Sequence, residues 1–147
     1  MKLIDVTLVS DTAILADGDV ICDTAEIPNV SEWSNRGVIL DSIVLLDEDD
    51  QGIALVLVFL RAAVAIGAKN AAPNVSDGNA RNIIGFVSVA TGDYIDLGGA
   101  RVATKADIGL ILSPLAGTSL YVSAISRGGT PTYSASGLRL RLGFRDA

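Results

Sequence analysis

The densest cluster of chemistry-bearing residues is Asp47-Glu48-Asp49-Asp50-Gln51-Gly52. Oxygen-bearing side chains at alternate positions followed by Gly imitate the start of a calcium loop. An EF-hand then requires a bidentate Glu at the twelfth position, where this chain has Val58, and the residues that follow read as strand rather than helix. Asp47, Asp49 and Asp50 are left as weak candidates for a looser cation site. The competing reading is a solvated hairpin loop, whose charges keep two very apolar strands from aggregating.

Other catalytic constellations fail on named residues. Asp93 and Asp96 are paired carboxylates, but glycoside hydrolysis also wants a cleft and sugar-stacking aromatics, and one Trp and three Tyr offer little platform. A Ser–Lys nucleophile would have to use Lys2, Lys69 or Lys105, and nothing in their surroundings marks any of them. Gly98-Gly99 and Gly128-Gly129 precede no helix and no Gly-Lys-Ser/Thr, so neither reads as a phosphate loop. Cys22 has no cationic neighbour in sequence and reads as a buried structural thiol. Trp33, between Glu32 and Ser34, suits either an interface anchor or a cap on one end of the core.

Composition sharpens these exclusions. The chain has 147 residues, no His and one Cys. That removes His-based triads and bases, His metal ligands, a structural zinc site and an intrachain disulfide. The reading is therefore non-enzymatic, with no cofactor. The net charge of −6 conceals a division: residues 1–50 carry twelve acids against two bases, whereas residues 51–147 carry five acids against nine bases. Such asymmetry fits self-association between unlike faces. A pI near 4.4 argues against nucleic acid.

The elements that must position these residues are strands. Turn signals recur from Asp17-Gly18 to Gly137, and between them the pattern predicts strands near 3–9, 19–27, 37–46, 53–61, 83–90, 93–97, 101–104, 107–112, 118–126 and 137–144. The expectation is a single all-β domain over residues 1–147, an antiparallel β-sandwich, with residues 1–10 as an N-terminal strand or an arm reaching a neighbour. One weak helix is expected from Ser76-Asp77 to about Asn82, with Ser76 as its cap. In 118–126, Leu120, Val122 and Ala124 are expected to oppose Tyr121, Ser123 and Ile125. The segments 38–46 and 53–60 are apolar on both faces and should be central strands covered on both sides, by this chain or by a neighbouring subunit. Residues 28–32 (PNVSE) and 73–77 (PNVSD) echo one another, either as a duplicated half-sandwich or as ordinary turn chemistry. No uninterrupted apolar segment reads as a signal peptide or a membrane span.

In the last of these strands Leu138, Leu140 and Leu142 alternate with Arg139 and Arg141, giving one apolar and one cationic face. Arg139, Arg141 and Arg145, with Trp33, are the candidate partner-contact residues, and the arginines are expected to pair with an acidic surface on another chain.

Three stretches, 45–60 (LLDEDDQGIALVLVFL), 83–110 (IIGFVSVATGDYIDLGGARVATKADIGL) and 119–144 (SLYVSAISRGGTPTYSASGLRLRLGF), resemble the capsid decoration, or cement, proteins of tailed bacteriophages. The resemblance covers most of the chain from about residue 36. It implies a β-sandwich of jelly-roll type, a homo-oligomer (commonly a homotrimer), and a place on the outer capsid surface of a virion against the major capsid protein. It transfers no functional residue. Two rival readings are a glycan-binding β-sandwich of a head or tail fibre and a calcium-dependent interaction module built on Asp47–Asp50.

Overall fold

Alternation decides the first sheet. In β10 (Leu138–Asp146), Leu138, Leu140 and Leu142 are buried while Arg139 and Arg141 are exposed. The strand lies between β1 (Lys2–Leu8) and β3 (Val38–Asp47), antiparallel to both. Across β3 the sheet continues through β7 (Arg101–Lys105) to β6 (Tyr94–Asp96), and β8 (Leu110–Leu112) pairs with the start of β3. The second sheet runs β2 (Ala25–Ile27), β9 (Leu120–Ser126), β4 (Leu55–Leu60) and β5 (Ile83–Val89). Every strand pair is antiparallel, and the protein is 43% strand and 5% helix. This computed structural model describes all of residues 1–147.

The inward faces of both sheets contribute to one cluster of 27 buried residues, including Leu8, Leu40, Leu45, Leu57, Phe59, Val122, Leu140 and Phe144. At about 1.5–3 kcal/mol for each fully buried large aliphatic or aromatic side chain, this cluster is the main favourable term holding the sheets together.

The two doubly apolar segments are inner strands, as their composition requires, but their outer faces are treated differently. On β4, outward Val58 and Leu60 are buried in a second cluster with Val20, Ile66 and Ile125. The cover comes from the chain itself. Backbone hydrogen bonds tie Val20 to Ala71 and Asn70 at 2.8 and 2.7 Å, and so draw the 61–76 segment across the sheet. The same cover buries both faces of β9, where Ser123 and Ile125 are as enclosed as Val122 and Ala124. Leu120, Val122 and Ala124 face the main core and Tyr121 and Ile125 the second cluster, so the two sets oppose one another as expected, with both sides covered. On β3 the outward residues Ile39, Val44 and Leu46 have no such cover and stay half-exposed.

Several expected boundaries shift. The strand expected over 19–27 shrinks to Ala25–Ile27, preceded by isolated bridges from Cys22 to Ser10 and from Val20 to Ile125. Ser76 caps α1 (Asp77–Ala80), accepting from the Asn79 N–H at 3.2 Å, but Gly78 and Asn79 are poor helix formers and the helix ends after one turn. Residues 2–8 pair with β10 of their own chain along their length, so this segment is a strand and not a free arm. The echoing 28–32 and 73–77 segments lead into unlike positions, the inner strand β3 and the end strand β5.

Candidate interaction surface

The acidic loop is built from the inside out. Asp47 closes β3 with its side chain fully buried, and its carboxylate accepts the backbone N–H groups of Asp49, Gln51 and Gly52 at 3.1, 2.9 and 2.6 Å. Burial raises its pKa, and these three donors offset only part of that cost. The other three carboxylates turn to separate partners. Glu48 meets Arg139 at 3.3 Å, Asp49 accepts from the N–H and hydroxyl of Ser134 at 2.9 and 3.1 Å, and Asp50 meets Arg101 at 2.7 Å. Asp47, Asp49 and Asp50 therefore diverge, and no group of three or more His, Cys, Asp or Glu side chains converges on a common point. The repulsion of four adjacent acids is relieved by hydrogen-bond donors of the same chain.

Asp93 and Asp96 are likewise taken up locally. Asp93 accepts the Ala90 N–H at 2.8 Å and meets Lys105 at 3.0 Å, and both interactions hold its pKa below the usual carboxylate value. Asp96 accepts the Gly98 N–H at 2.9 Å and lies 3.5 Å from Arg101. The Cys22 thiol is buried and pushed up to about 11 by desolvation, which makes it a poor nucleophile.

The arginines of β10 share the outer face of the first sheet, as their spacing requires. Within the single chain each of their charges already has an acidic partner. Arg139 pairs with Glu48, Arg141 with Asp5 at 2.8 Å, and Arg145 with Asp41 at 2.6 Å. Five of the seven ion pairs join an acid from residues 1–50 to a base from residues 51–147. The charge division along the sequence is thus matched within one chain, because β1 and β3 flank β10.

What this face offers beyond charge is apolar. Cross-strand register sets Thr7, Arg139, Leu46, Val102 and Ile95 in one row across β1, β10, β3, β7 and β6. The next row holds Asp5, Arg141, Val44 and Thr104. A shallow groove of about 420 Å3 runs between these rows, with Val44, Leu46 and Val102 in its lining. Elsewhere on the same face Leu3, Ile95 and Ile111 are 69%, 65% and 69% exposed. Trp33, 65% exposed, sits in the 28–37 loop beyond the Arg145 end of β10, and its neighbour Glu32 shares a small pocket with Arg145. Ile95 and Ile111 escaped the sequence reading because their three-residue strands give alternation too few repeats to assign a face.

No helix of the protein is long and apolar enough to cross a membrane. Comparison with known protein families, with curated proteins and with solved structures finds no match to this chain.

Proposed function

We propose that this protein is a non-enzymatic structural component of a tailed-phage virion. In this reading it binds the major capsid protein on the outer capsid surface as a homo-oligomer and ties neighbouring capsomers together. The observation that carries the reading is the uncovered outer face of the first sheet. In the second sheet the chain's own 61–76 segment covers the outer side of β4 at Val58 and Leu60 but leaves Phe86 of β5 60% exposed, while the first sheet has no such cover and carries exposed Leu3, Ile95 and Ile111 on the face that holds the groove. Exposed apolar side chains gathered on one face, here interspersed with charge, mark a docking site.

The ion pairs on this face suit docking. Exposed pairs of this kind contribute only about 0–1 kcal/mol each, so Arg139, Arg141 and Arg145 can exchange partners at little cost. Each contact with a capsid surface can be weak when an oligomer makes several at once. We also read the architecture as a jelly-roll β-sandwich. Supporting this, β1-β10-β3-β7 and β2-β9-β4-β5 interleave early and late strands in the order that two Greek keys generate.

The test is co-sedimentation of the purified protein with expanded empty capsids, combined with native mass spectrometry of the free protein. Saturable binding by an oligomer supports the reading. A monomer that stays in the supernatant overturns it.

A further inference from the structure

We propose that β5 is a self-pairing edge, and that two copies of the chain join through it about a two-fold axis to make one continuous eight-stranded sheet. This deepens the self-association part of the function proposed above and names its surface.

The argument begins with the strand ends of the two sheets. A free edge strand exposes unpaired N–H and C=O groups, and proteins blunt it by shortness, charge or proline. Every other edge is blunted in one of these ways. β1 carries Lys2 and Asp5, β2 has three residues including Glu26, β6 has three including Asp96, and β8 has three. β5 is seven residues long, reads IIGFVSV, and contains neither charge nor proline. Its backbone pairs only with β4, so alternate residues turn their N–H and C=O groups outward with no partner in the chain. At its centre Phe86 is 60% exposed.

The same features select a second copy as the occupant. The register shift between Phe59 and Leu60 leaves Ile84 as an extra residue, so the regular part of the edge is Gly85–Val89. A two-fold axis through Val87 pairs Gly85 with Val89 of the other copy, Phe86 with Ser88, and Val87 with itself. Phe86 then lies beside Ser88 and Val89 beside Gly85, while the two Val87 side chains meet on the axis. No like charges meet across the axis, whereas a charged edge would repel its own copy. An uncharged strand also offers no charge by which to choose a foreign partner. The contact is isologous and closes on itself, which gives a dimer, where the resemblance to decoration proteins implied a trimer.

The experiment is sedimentation velocity on the full chain over a micromolar concentration series, without capsids. The expected result is a concentration-dependent dimer. The double variant Phe86→Lys/Ser88→Lys sets like charges opposite one another and should weaken the dimer by at least about tenfold. Phe86→Glu/Ser88→Glu should do the same, and an equimolar mixture of the two should restore a heterodimer, which also shows that both fold. If Phe86→Lys unfolds the chain, Ser88→Lys alone, at an exposed position, carries the test. A wild-type monomer throughout, a trimer indifferent to these charges, or unchanged dimerisation of the Lys variant overturns the proposal. Capsid binding is scored separately: a dimer that ignores capsids removes only the virion reading, and a capsid-binding monomer removes this proposal and the self-association it deepens while capsid binding stands.

Discussion

Asp5 and Arg141 stand opposite one another on β1 and β10 and meet in a two-point contact at 2.8 and 3.3 Å, although 136 positions separate them. The guanidinium holds the Asp5 carboxyl below its usual pKa, and the carboxylate raises that of Arg141 in return. The Asp5 carboxyl should therefore titrate below the ordinary aspartate value by NMR, and Arg141→Gln should return it upward. An unmoved resonance in that variant would contradict the assignment.

The pH dependence of stability follows in sign. Asp5 and Asp93 have lowered pKa values in the fold, so their contribution is present above the unfolded value of about 3.9 and lost as pH falls through the folded ones. Asp47 is raised by burial and runs the other way: its protonation, at a higher pH, favours the fold. Stability should thus hold or rise slightly on acidification until near pH 4 and then fall. Urea titrations at a series of pH values check this, and a steady loss beginning near pH 6 would count against it.

The acidic loop gives a contrast between neighbours. Asp47→Ala leaves three backbone N–H groups without their buried acceptor and should cost about 3 kcal/mol. Glu48→Ala, which loses only a surface pair with Arg139, should cost less than about 1 kcal/mol. Because the four carboxylates point to separate donors, millimolar calcium should leave the melting temperature unchanged. A calcium-dependent rise of several degrees would restore the cation reading.

Two buried tyrosines differ in a single bond. Tyr94 donates to the Ile53 carbonyl at 2.9 Å, while the Tyr133 hydroxyl is buried with no partner. Tyr94→Phe should destabilise by about 1 kcal/mol, and Tyr133→Phe should be neutral or stabilising by up to about 1–2 kcal/mol. Burial raises the pKa of both phenols, so the fold favours their neutral forms. Their contribution is complete below the unfolded value of about 10 and is lost as pH rises above it. Absorbance titration should show both ionising only with alkaline unfolding.

The sequence made legible whatever depends on near neighbours. Alternation at Leu138–Leu142 marked which face of β10 is apolar, the doubly apolar 38–46 and 53–60 segments were recognisable as inner strands, and Ser76 was recognisable as a cap. Partners distant in the chain were not legible. Nothing in Arg141 says that Asp5 will lie opposite it, because that register depends on β1, β10 and β3 being adjacent in the sheet. No element is predicted between the 53–61 strand and Ser76, yet Ile66, with Val64 and Val75, packs against the outward side of β4. Their spacing has no strand or helix period, so periodicity could not reveal them. The acids at 47–50 are adjacent in sequence, but which donor each carboxylate turns to depends on Arg101, Ser134 and Arg139, far along the chain.

The unlike outer faces of the two sheets give the last prediction. Ile66 is buried against Val58 and Leu60, so Ile66→Ala should cost about 2–4 kcal/mol through the cavity it leaves. Leu3, Ile95 and Ile111 already stand in solvent, and Leu3→Ser, Ile95→Ser or Ile111→Ser should change stability by no more than about 0.5 kcal/mol. If the open face is the docking surface, those three silent substitutions combined should abolish co-sedimentation with expanded capsids, while a matched exposed change at Leu115, off this face, leaves it intact. Loss of docking with an unchanged melting temperature separates a contact residue from a structural one. Full binding by the triple variant would move the docking surface away from this sheet.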